Sequence, residues 1–240
     1  MKTANFGQNA GGQKLWKEYE KDVSEPRCIS VKGLSVTPHP GENPNHPVKG
    51  ASVKVDPIRD RKNINAIKKI LSAKPRDLAI FLIGINTNLR GVDLLKLKIG
   101  QVRSLDVNDE FSLKEKKTSK HKMVTVNPTV YKAIQRLIAT IPPKQCTDNN
   151  YLFQSREGGG KKLTTPYLNN LVKKWCAEIN LPGNYGAHTL RKTFGYHQRV
   201  TFGIDIPTLM VMFNHSSQKQ TLDYLGIQDS EIKEAYMNEL

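Results

Sequence analysis

A mainly α-helical fold with one small three-stranded antiparallel β-sheet is what this sequence predicts, on three observations. Apolar residues recur at helical spacing in most segments from Arg59 onward. One block, residues 102–126, shows instead short runs of β-formers broken by turn dipeptides. The chain, at 240 residues, is long enough to bury a real core in one domain with length left over.

The elements follow in order. Residues 1–55 stand apart as an N-terminal arm or linker. Lys14 to Asp22 suits a short helix, but Pro38, Pro40, Pro44 and Pro47 with Gly33, Gly41 and Gly50 make the following stretch extended. Ordered structure is expected from Asp56. Arg59 to Ala73 spaces Ile64, Ile67, Ile70 and Leu71 on one helical face, and Pro75 suits the first turn of a helix whose apolar body is Leu78 to Ile85. After Arg90, Val92, Leu94, Leu95 and Leu97 continue as a buried helical turn. Val102–Val107, Glu110–Lys116 and Lys122–Val126 are the three expected strands, punctuated by Asn108-Asp109 and Thr118-Ser119. Pro128 to Ile141, Leu163 to Ile179, His188 to Val200, Ile206 to Phe213 and Gln218 to Leu225 read as helices. Residues 56–227 form the central domain, and 228–240 an acidic, amphipathic tail helix. No internal repeat is present.

Charge narrows the partners. The formal net charge is +15, with a pI near 9.7. Residues 1–55 balance at +3 and residues 228–240 at −3, so the segment between them holds the whole excess. A folded domain this basic faces a polyanion, with nucleic acid the first expectation; a solvated basic surface or a ribosome-associated protein fits charge alone equally well. The mean hydropathy is −0.52. The longest apolar run, Leu78 to Ile85, is too short to span a bilayer, and the N-terminus lacks the apolar core of a signal peptide, so a cytoplasmic protein is expected. Cys28, Cys146 and Cys176 show no CxxC spacing, and the six histidines show no metal-ligand spacing with them. Neither a disulfide framework, a zinc site nor a cofactor is expected. Gly158-Gly159-Gly160-Lys161 mimics a phosphate loop, but Ser155 occupies the first-glycine position and Lys162 replaces the Ser/Thr, so it reads as a turn.

The chemistry-bearing residues lie mostly in one C-terminal stretch: His188-Thr189-Leu190-Arg191, then Asn214-His215, then Tyr224. Arg90 supplies a second guanidinium upstream, in Leu89-Arg90-Gly91-Val92-Asp93, where Asp93 is expected to hold it by a carboxylate–guanidinium bond. Lys117 lies near the tip of the expected hairpin. Singly, each has a structural reading: a helix-face pair for His188 and Arg191, an ion pair for Arg90, a cap for His215, a core ring for Tyr224, a solvated lysine for Lys117. Together, two arginines, two histidines and a tyrosine are what metal-free attack on a phosphodiester requires.

In that order and spacing the set resembles the tyrosine recombinase (phage integrase) family over roughly Asp56 to Ile227. Asn88 to Leu97 is similar to the family's first arginine box and Lys117-Thr118-Ser119-Lys120 to its hairpin lysine, with Lys120 second choice to Lys117. Tyr151 to Arg156 followed by Gly158-Gly159 resembles the segment ahead of the second box, His188 to Phe194. Asn214-His215-Ser216-Ser217 through Tyr224-Leu225-Gly226 resembles the family's ending, with Asn214 standing where Gly is usual. Residues 1–55 do not resemble the family's complete core-binding domain. The resemblance implies a catalytic-domain fold of that type and a site-specific recombinase acting on double-stranded DNA in the nucleoid. It implies Arg90 and Arg191 gripping the scissile phosphate, and His188 as general base on Tyr224. His215 would bond the phosphate and Lys117 would protonate the leaving 5′-oxygen. It further implies a 3′-phosphotyrosine intermediate, no cofactor, a homotetramer on DNA, and accessory DNA-bending proteins as further partners. The tail 229–240 is expected to dock on a neighbouring protomer, or on its own domain. A type IB topoisomerase-like enzyme shares this chemistry. A non-catalytic DNA-binding regulator on such a domain, or an RNA-binding domain, would keep the charge but not need the motif set; 7% aromatic residues leave few rings for base stacking.

Overall fold

A computed structural model describes residues 54–116, 119–155, 160–225, 233 and 236–239. The arm up to residue 53, Lys117 and Thr118, residues 156–159 with Gly158 and Gly159, and most of the tail lie outside the described residues. The first helix, α1 (Arg61–Ile70), starts where the Asp60 carboxylate accepts from Lys62 N–H, and buries Ile64 and Ile67. Helix α2 (Pro75–Gly84) begins on Pro75 and is buried on almost every side through Leu78, Ala79, Ile80, Phe81 and Ile83, which makes it the central helix. The short α3 (Gly91–Leu94) follows Arg90 directly. Helices α4 (Pro128–Ile138) and α5 (Thr165–Glu178) are capped by Asn127 and Thr164, whose side chains accept from Val130 and Tyr167 N–H. Trp175 of α5 meets Phe81 of α2 edge-on, with centroids 6.0 Å apart.

The sheet differs from expectation. Among the described residues it has two strands, β1 (Glu110–Lys114) and β2 (His121–Thr125), antiparallel with Phe111 opposite Val124 and Leu113 opposite Lys122. The predicted first strand, Val102–Val107, is turn, following a 3₁₀ turn at Ile99–Gln101. Val102 and Arg103 N–H both bond back to Ile99 O, which curls the chain, and only Val102 is buried there, so no alternating face exists to pair. The helix predicted to run to Ile141 stops at Ile138, and that predicted over Arg59 to Ala73 covers Arg61–Ile70.

The last third builds the wall of the site. Helix α6 (Ala187–Tyr196) buries Leu190, Arg191 and Phe194, and ends in a π-helical turn, His197–Thr201, where plain helix to Val200 was expected. Helix α7 (Ile206–Phe213) and helix α8 (Gln218–Leu225) match their predicted limits. Leu209, Phe213 and Leu225 join Phe194 in a small core of their own, against which Tyr224 packs. Gly195 permits this closeness, since a Cβ there would lie 2.6 Å from both Leu225 Cδ2 and Phe213 Cζ. No helix among the described residues is long and apolar enough to cross a membrane.

Candidate active site

Helix ends aim the functional side chains. Helix α7 stops at Asn214, whose backbone is left-handed at φ 55°; Asn214 N–H donates to Val211 O and His215 N–H to Met210 O, a Schellman-type ending. Asparagine tolerates this conformation better than any residue but glycine, which explains how Asn214 serves at that turn. His215 is thereby fixed over the end of α7, its ring stacked on Phe213 at 5.2 Å, with Nδ1 3.0 Å from Thr221 Oγ1 on α8. Tyr224, one turn further along α8, packs edge-on against His215 at 5.5 Å and under the Lys192 ammonium at 5.3 Å.

The two arginines come from different elements. Arg191, almost wholly buried, donates through Nη1 to Asn88 O (2.9 Å) and through Nη2 to Phe213 O (3.0 Å), with its guanidinium 4.9 Å over the Phe213 ring. Arg90 is the residue before α3, held in extended conformation by the turn at Asn88 (φ 54°). It pairs with Glu115, whose Oε1 lies 2.5 Å from Arg90 Nη1. This corrects the expected Arg90–Asp93 bond: Asp93 is buried and accepts from Lys116 N–H instead.

Arg90, His188, Arg191, Asn214, His215 and Tyr224 line one cavity of about 420 Å³. His188 is exposed on the rim. Lys117 lies outside the described residues, and Lys120 is exposed on the turn between the strands. Two residues buried around the arginines escaped the sequence reading. Glu115 lies between the arginines, 3.8 Å from Arg191 Nη1, and its Oε2 accepts from Asn214 Nδ2 at 3.3 Å. Lys122, on the inward face of β2, donates to Asn88 O (2.8 Å) and Met212 O (3.2 Å), so it ties the first arginine turn to the end of α7. Strand parity is the signal that finds both: Glu115 shares a side with Phe111 and Leu113, and Lys122 with Val124.

This setting moves the protonation equilibria. Burial, then Arg191, lower Lys122 to about 7, with Glu115 pulling the other way. Burial and the nearby Arg191, Arg90 and Lys122 lower His215 to about 4, so its imidazole is neutral at pH 7. Burial raises the Tyr224 phenol to about 12 despite the opposing pull of Arg191 and Arg90. Two fixed guanidiniums, a neutral imidazole and a protonated phenol around one cavity make a receptor for a phosphate group with a nucleophile beside it.

A family model described as Phage integrase family matches residues 59–231. The probable integrase/recombinase YoeC of Bacillus subtilis (strain 168) is 33% identical over 185 residues, covering 76% of this chain and 95% of the relative. Tyrosine recombinase XerC of Caldanaerobacter subterraneus subsp. tengcongensis is 29% identical over 174 residues, covering 70% of this chain and 47% of the relative, so the match spans about half that protein's length. Among solved structures, XerH site-specific recombinase bound to palindromic difH substrate, in a post-cleavage complex, shares the fold with a TM-score of 0.60 and 22% identity, over 73% of this chain and 49% of that one.

Proposed function

The chain belongs to the phage integrase family, and from that membership we propose that it is a site-specific recombinase that cuts and rejoins double-stranded DNA through Tyr224. The observation that carries this reading is the convergence of Arg90, His188, Arg191, His215 and Tyr224 on one cavity. Arg90 and Arg191 hold the non-bridging oxygens of the scissile phosphate and stabilise the extra charge of the pentavalent transition state. The Tyr224 phenol, raised to about 12, is protonated at neutral pH and needs a base. His188 takes its proton as the phenol oxygen bonds to phosphorus. The bond from phosphorus to the 5′-oxygen breaks, and Lys117 gives that oxygen a proton. The products are a 3′-phosphotyrosine and a free 5′-hydroxyl. Attack by a second 5′-hydroxyl reverses the steps, with His188 returning the proton to Tyr224, so the phosphoester is conserved without an external energy source. His215, with Thr221 on Nδ1, offers Nε2 to the phosphate.

Residues 56–227 are the catalytic domain in this reading, and residues 1–55 an arm without a complete core-binding domain. Four copies assemble on DNA, with accessory DNA-bending proteins as partners. The tail docks on a neighbouring copy; its Tyr236 and Met237 are 86% and 74% exposed, apolar surface suited to burial against another chain.

Incubation with a pool of nicked suicide duplexes, in chelator, tests the chemistry. A denaturation-resistant protein–DNA adduct is expected from the wild-type chain and none from Tyr224→Phe. An adduct that survives Tyr224→Phe, or salt-sensitive binding with no adduct across the pool, would sink the reading.

A further inference from the structure

We infer that Glu115 is a positioning residue, a buried carboxylate that sets the two phosphate-gripping arginines, the turn between the strands and the histidine turn in register. This rests on the recombinase reading above.

Three parts of the site meet at this side chain. Its backbone closes the turn between the strands: Glu115 N–H donates to Lys120 O, and Ser119 N–H donates to Glu115 O, both at 3.0 Å. The side chain reaches inward, with Oε1 2.5 Å from Arg90 Nη1 and 3.8 Å from Arg191 Nη1. Oε2 accepts from Asn214 Nδ2 at 3.3 Å, and Asn214 is the left-handed residue immediately before His215.

The physical need is clear from burial. The Arg191 side chain is 3% exposed and that of Arg90 13%, so neither guanidinium has water enough to screen it from the other. Asp93 uses one oxygen on Lys116 N–H. Glu115, 1% exposed, supplies the counter-charge that lets two cations sit close enough to grip one phosphate before DNA arrives. Packing alone would favour an apolar residue here, since Phe111 and Leu113 share its side of the strand. Both arginines line the cavity and Glu115 is absent from its lining, so a phosphate entering there would meet the guanidiniums with the carboxylate behind them.

The test compares wild type, Glu115→Gln, Glu115→Ala and Asn214→Gly in single-turnover cleavage, DNA affinity and thermal melting. Glu115→Ala is expected to lower the cleavage rate about a hundredfold, the cost of a misplaced reacting group, with Kd within about threefold. Glu115→Gln should fall between Ala and wild type. Asn214→Gly, which suits φ 55°, should slow cleavage several-fold at unchanged melting temperature. A wild-type adduct accompanied by near-wild-type cleavage from Glu115→Ala and Glu115→Gln overturns the inference. So does faster cleavage, which would mean that Glu115 competes with phosphate, and so does a parallel loss of binding and rate. If Glu115→Ala does not fold, Glu115→Gln and Asn214→Gly decide by the same criteria. Guanidinium NMR of the DNA-free protein separates the two readings. Arg191 is held by two backbone carbonyls whatever stands at 115, so the reporter is Arg90. Hindered rotation of Arg90 that Glu115→Gln releases is expected, and free rotation in wild type overturns the role of Glu115 even where no adduct forms. No adduct alongside hindered rotation counts against the recombinase reading instead.

Discussion

A lysine at the core-facing position of a strand must lose its proton or find acceptors, and Lys122 does part of each. Two backbone carbonyls receive its Nζ, while burial and Arg191 hold it near pKa 7. Its folded value lies below the unfolded 10.5, so between about pH 7 and 10.5 the unfolded chain holds a proton that the folded chain has released. Stability contributed at this site therefore rises with pH through that window and is flat below it. Lys122→Met removes the titration and keeps the volume. Urea unfolding should show wild type gaining about 1–3 kcal/mol on Lys122→Met between pH 7 and 9; equal pH slopes would mean that Lys122 is solvated. Sequence reading placed Arg90, His188, Arg191, His215 and Tyr224 because a spaced motif needs no register. It missed Glu115 and Lys122 because parity has meaning only once the strands' pairing is known, and a lysine-rich hairpin hides one inward lysine among outward ones.

Helix limits were legible where chain chemistry marks both ends. Asp205 caps α7, its carboxylate accepting from Thr208 N–H, and Asn214 ends it with a left-handed turn, so the predicted Ile206 to Phe213 matches. That Val102 to Val107 is turn and not a strand was not legible, because the segment carries β-formers yet lies where the chain bonds back on Ile99. The π-helical turn at His197–Thr201 has no sequence signal that separates it from a continuing helix. Packing between elements makes its own demand at Gly195, where α6 meets α8. A methyl group there meets Phe213 and Leu225 at 2.6 Å and must push α8 outward. Gly195→Ala should therefore destabilise the fold by about 1–3 kcal/mol. It should also cut cleavage by at least tenfold with DNA affinity retained, because Tyr224 rides on α8 while Arg191 stays on α6. A variant with wild-type melting and cleavage would show that the contact relaxes at no cost.

At the scale of the molecule, the charge excess and the cavity need separate tests, because different lysines serve each. Residues 56–227 hold the whole +15, yet several of their cations are spent inside: Arg191 on two carbonyls, Lys122 on two more, Arg90 on Glu115. Binding to a polyanion draws on the exposed remainder, and each phosphate neutralised contributes about −0.9 to the slope of log K against log salt on duplex DNA. A groove engaging about six phosphates then gives a slope near −5. Lys122→Met should leave that slope unchanged, since its Nζ faces carbonyls rather than solvent, while it lowers the cleavage rate by loosening the tie between Asn88 and Met212. Anisotropy titrations across a salt series read the slope directly. A shallow wild-type slope would mean that the basic surface does not line a DNA groove. A slope that falls by about one unit in Lys122→Met would mean that this lysine leaves its carbonyls to meet a phosphate, and would move it from the scaffold of the site into the interface.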